Sequence, residues 1–235
     1  MPSRHRLELL FSSALRTDVE ANDNTVLGAA NPASSNYVGN AGWPSYATGF
    51  DGERSAPGTF NGIIPLEHPS EDITWHGTSR SGFGQITDGT SNTAMLSERL
   101  VQTASTSEGV TNGDSRLGSR HILERFETLD LINTQLTASH THVFESAFIG
   151  RSWSSGFSLA APTYMHVKRP NTLVGHYGTS RDQGDFVVTP SSRHPGGVNQ
   201  VRADASVHFV SNNIGLEPWW ALGSRNDGRV TDLSN

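Results

Sequence analysis

The stretch that most constrains the fold is the last forty-odd residues, SSRHPGGVNQVRADASVHFVSNNIGLEPWWALGSRNDGRV. His194, Pro195, Gly196 and Gly197 read as a turn, because Pro presets φ and Gly accepts positive φ without strain. Residues 198–203 and 206–210 then alternate in hairpin fashion around Asp204 and Ala205, which predicts two strands joined by a two-residue turn. Leu216, Trp219, Trp220 and Leu222 recur at helical spacing and Gly223 follows, predicting a helix of about two turns. Ala205 stands where a two-residue hairpin favours Gly, and a left-handed Ala costs on the order of 1 kcal/mol.

Elsewhere the patterns are shorter. Leu7, Leu10, Phe11, Ala14 and Leu15 suit an amphipathic helix over residues 4–16. Residues 18–35 read as a loop, 37–42 as an extended piece ending at a glycine turn, and 43–69 as loops with a brief strand at 59–64. Asp88, Gly89, Thr90, Ser91 and Asn92 predict a turn or one helical turn, and 93–98, up to Glu98, a buried strand. Residues 102–118 are polar and predicted to be exposed. Ile122, Leu123, Phe126, Leu129, Ile132 and Leu136 predict a helix over 120–135 with Ser119 as its cap. Residues 143–149 and 186–188 suit strands, 150–164 a Ser/Gly/Trp loop, and 229–231 a last edge strand. With 24 Gly and 11 Pro among 235 residues, short strands and loops fit better than a helical bundle.

Several function classes fall away. The net charge is −6 and no basic run occurs, which argues against nucleic acid as a partner. There are no cysteines, hence no disulfide or thiolate metal site. No run reaches the roughly 18 apolar residues of a membrane span, and the first residues lack the apolar core of an export signal. No Gly-x-Ser-x-Gly elbow is present, and the pattern begun by Gly82 and Gly84 meets Thr87 where a third Gly belongs. The single lysine, Lys168, has no phosphate-loop context.

The candidate chemical pairs are weak. Six strand residues at about 3.3 Å each put His194 and Asp204 about 20 Å apart, beyond reach for a dyad. Turn chemistry accounts for both, and for Asp88 to Asn92, more simply than a cation site does. His140 and His142 share a strand face, but zinc needs a third ligand that nothing marks. Trp43, Trp75, Trp153, Trp219 and Trp220 could form a sugar platform, although scattered tryptophans more often pack loops onto a core. The expectation is no catalytic residue, no metal and no cofactor.

Two long segments, GFGQITDGTSNTAMLSERL and SRHPGGVNQVRADASVHFV, stand in this order about a hundred residues apart. Together they resemble the planctomycete family known as domain of unknown function 1559, prepilin-like proteins that end with a His, nine residues, then Asp-Gly. His194 and Asp204 match that spacing. Asn36 to Gly42, the GRSW run at Gly150 to Trp153 and the tail from Trp220 fit as well. The resemblance covers residues 36–231.

The resemblance implies an α+β, type IV pilin-like head with a small, mostly antiparallel sheet, few helices and long Gly/Pro-rich loops. It also implies a cell-envelope or extracellular place, and pilin-like subunits or type II secretion (pseudopilin) machinery as partners. Its motif residues here are Asp88, Gly89, Thr90, Ser91, Asn92, Glu98, His194, Pro195, Gly196, Gly197 and Asp204, in structural roles. Residues 1–35 read as a stub outside the family and 36–235 as the head. The stub shows no prepilin signal or anchor helix. A misplaced gene start, a headpiece relic, or a member working without an anchor would each explain that. Ala205 for Gly and the lack of cysteines are further departures. The resemblance points to a non-enzymatic structural protein, with a secreted carbohydrate- or envelope-ligand-binding module as the alternative. A head lacking its anchor helix should also leave an apolar face exposed and self-associate.

Overall fold

The computed structural model describes residues 34–43, 61–64, 81–101, 114, 116–117, 119–122, 128–137, 163–177 and 186–229. The expectations for residues 4–16, 75, 140–149 and 153, and all but the start of 229–231, lie outside these.

The chain is α+β, with a five-stranded mixed sheet, a three-stranded sheet and two α-helices among the described residues. The larger sheet runs in the order β4 (Thr163–Met165), β1 (Tyr37–Gly42), β2 (Ala94–Glu98), β7 (Gly197–Arg202), β8 (Val207–Ser211). Its pairs are antiparallel except β1 with β4. The smaller sheet joins β5 (Val174–Tyr177) in parallel to β3 (Ser119–Ile122) and antiparallel to β6 (Phe186–Val187). Helix α1 is Leu129–Gln135 and α2 is Leu216–Gly223.

The hairpin forms, with Val198 facing Val210 and Gln200 facing His208. Its loop is the three residues 203–205, closed by Arg202 N to Ser206 O, rather than the predicted two-residue turn, and within it only Ala205 takes a positive φ, 68°. Because paired residues share a face, the register separates the two sides of the sheet. Val38, Ser97, Gln200, Val198 and Val210 lie on the inner side, where Trp219 and Trp220 of α2 join the core. Tyr37, Glu98, Asn199 and Phe209 form a row on the other side, next to Gly39, Leu96, Val201 and Val207. There Tyr37, Val207 and Phe209 are 63, 64 and 55% exposed.

Four further expectations need correction. The helix predicted over 120–135 begins only at Leu129, capped by Thr128 rather than Ser119, and residues 119–122 are strand β3. Pairing with β5 outweighs the local period, and a seven-residue helix depends on its packing in any case. Leu129, Ile132 and Leu136 do enter the core with Val174 and Val187. Residues 163 and 164, predicted to end a loop, belong to β4, Thr163–Met165. Residues 61–64 bend rather than extend; the Gly62 backbone N–H donates to Ala41 so closely that any Cβ at Gly62 would strike β1. Leu117, predicted to be exposed, is buried. Among the described residues no helix is long and apolar enough to cross a membrane.

Candidate functional site

The two long sequence motifs meet along β2 and β7. Glu98 ends β2 on the outer face. Its carboxylate accepts from the Asn199 backbone N–H at 2.9 Å, from Asn199 Nδ2 at 3.1 Å, and contacts His194 Nε2 at 3.1 Å. The turn before β7 is held by Ser192, whose Oγ donates to Gly197 O and accepts from His194 N. Gly196 takes φ 85°, as the turn requires, and its carbonyl accepts from Asn212. Pro195 lies in the same turn.

Asp88 clamps the C-terminal segment. Its Oδ2 accepts from Asp227 N and its Oδ1 from Gly228 N, both at 2.8 Å. Gly89 is at φ 94°, and its carbonyl accepts from Asn92 N and Thr93 Oγ1. Asn92 Nδ2 donates to Asp88 O, and Thr90 O accepts from Asp204 N. Ser91 is exposed on the same turn. Burial, then the neighbouring Asp88 carboxylate, pushes Asp227 up to about 6. Both Asp88 oxygens are already engaged, which makes it a poor general base.

His194 and Asp204 flank opposite ends of β7 and have different partners. Asp204 Oδ1 accepts from Ser206 N at 2.9 Å and Ser206 Oγ at 2.6 Å, bonds that hold its pKa below the usual carboxylate range. Among the described residues no three His, Asp or Glu side chains converge as a metal would need. Trp43, Trp219 and Trp220 are interior, and their indole N–H groups donate to Trp220 O, Lys168 O and Val167 O. None of these three offers a ring for a sugar to stack on.

Sequence reasoning missed a buried polar cluster on the inner face. His166 stacks on Trp219, with ring centroids 3.9 Å apart. Its Nδ1 pairs with Trp219 O at 2.8 Å and its Nε2 with the Tyr164 hydroxyl at 3.0 Å. Because Trp219 O can only accept, Nδ1 carries the proton, so Nε2 accepts from Tyr164. Gln200 Nε2 then donates to the Tyr164 oxygen at 3.1 Å. Burial drives His166 down to about 3, with smaller effects from the Trp219 carbonyl and the Arg202 charge. At Gly223 a Cβ would collide with His166, so the glycine lets α2 end against this ring. The only local signal was the Gln200–Arg202 alternation on β7.

Residues 13–217 match a family described as "Protein of unknown function (DUF1559)". The match begins ahead of residue 36 and ends within α2. No curated protein and no solved structure matches the chain.

Proposed function

The chain belongs to the DUF1559 family, and from that premise we propose a non-enzymatic structural protein: the head of a prepilin- or pseudopilin-like cell-envelope protein, working by assembly or surface display. The observation that carries this reading is the asymmetry of the larger sheet. One face is closed by α2, while the other presents Tyr37, Val207 and Phe209 to solvent. Strand β8 ends the sheet, so its outer edge pairs with no strand among the described residues. It also lacks the Lys, Pro or bulge with which edge strands commonly block pairing. The motif side chains Asp88, Glu98 and Asp204 bond to backbone groups and brace this scaffold. Other pilin-like subunits or secretion machinery are the partners proposed, with no cofactor.

The test is self-association. Light scattering at rising concentration should show oligomers of the native chain and a monomer for the Val207→Lys/Phe209→Glu double variant. A native chain that stays monodisperse and monomeric at high concentration would overturn assembly through this surface.

A further inference from the structure

Arg202 is 1% exposed, and its Nε, Nη1 and Nη2 all lack a hydrogen-bond partner. A guanidinium does not deprotonate in proteins, and burying it with none of its N–H groups paired is strongly unfavourable. Among the described residues only the exposed Asp204 brings an opposing charge near it, and no group hydrogen-bonds the guanidinium. Gln200 lies two residues earlier on the same face of β7, and its Oε1 also has no partner. Tyr164 and His166 lie close enough for the Arg202 charge to act on both titrations, yet both are neutral. Asp204 is exposed in the next turn, where Ser206 occupies one of its oxygens. Two neighbouring positions on one face of β7 thus hold a fork of unused N–H donors and an unused amide oxygen, next to the 203–206 turn.

We propose that the Tyr164–His166–Gln200–Arg202 cluster is a binding site for a small planar oxyanion of the carboxylate or bicarbonate class. The guanidinium fork matches two carboxylate oxygens in a bidentate pair. An anion carrying its own hydroxyl, as bicarbonate does, also donates to Gln200 Oε1. The interior position excludes peptides, lipids and large phosphate esters. This site is separate from the outer sheet face, so it stands or falls independently of the assembly reading.

Saturation-transfer NMR with formate on the full chain tests the proposal. The formate proton should receive saturation from the protein, and bicarbonate should suppress the signal by competition. Arg202→Met, which keeps length and removes charge, should weaken the transfer about tenfold or more, the loss of one charge-assisted pair. Absence of transfer in the native chain, or equal transfer in a folded Arg202→Met, overturns the site. Should Arg202→Met fail to fold, native crystals soaked in bromide decide: an anomalous peak within hydrogen-bond reach of the guanidinium supports it, and no peak overturns it.

Discussion

Ala205 holds a left-handed backbone in the turn between β7 and β8. The turn is closed by Ala205 N donating to Arg202 O at 3.0 Å and by Arg202 N donating to Ser206 O at 2.9 Å. The strain is local, because an L side chain at φ 68° crowds its own carbonyl. Ala205→Gly should therefore raise stability by about 1 kcal/mol, less the extra freedom Gly gives the unfolded chain, and a thermal melt reads it. Asn171, at φ 59°, shows the better-supported case. Its side chain donates to Gly197 O and Asn212 Oδ1 and accepts from Ser192 N, so its conformation is held by three bonds. Ala205 was legible in the sequence because two alternating runs framed it. His166 was not, because its partner Trp219 lies 53 residues away and a single buried His leaves no periodic trace.

At the scale of elements, α1 shows how a short helix is secured. Thr128 Oγ1 accepts from Leu131 N at its start. At its end Lys168 Nζ donates to Asn133 O at 2.7 Å and Leu136 O at 2.8 Å. Those carbonyls are left over when the helix stops, and a cation there also opposes the helix dipole. Lys168 is buried with its head capping the helix, and that burial pulls its pKa down to about 8. Lys168→Met should cost about 1–3 kcal/mol, the range for bonds from a charged donor, read as a lower urea midpoint with an unchanged slope. The apolar period from Ile122 onward was legible, but its division between β3 and α1 was not. That division is set by β5, whose Gly175 packs so closely that a Cβ there would strike Leu136. Strand β4 escaped notice because three residues are too few to show a period.

For the whole molecule the α+β class and the family were legible, since two motifs carry both. Strand order was not, because each central pairing joins segments far apart in sequence. The buried titratable groups give the molecule a pH profile. His166 refuses a proton until about pH 3, whereas the unfolded chain accepts one near 6.5. The unfolded state therefore binds more protons throughout that window, and stability drops as pH falls from 6.5 towards 3. Asp227 works in the opposite direction between 3.8 and about 6; being half-buried, its share is discounted. The urea midpoint should fall on acidification from neutral pH, and fall more steeply in Asp227→Asn. A midpoint that rises with acidification would contradict the buried neutral state of His166.

The ties made by the last described residues bear on how the chain reaches its native state. Asn40 Nδ2 bonds Gly223 O across 183 residues, Arg225 Nη1 bonds Gly62 O across 163, and β2 gains its second neighbour only with β7, about a hundred residues later. Contacts of such separation require large loops to close before they repay anything, which slows folding. During synthesis β1 and β2 must wait beside the ribosome with one edge unpaired until the final hairpin emerges. The segment richest in recognisable sequence is thus also the one whose arrival completes the fold, so a stalled or clipped chain would be a sticky fragment rather than a smaller version of the protein.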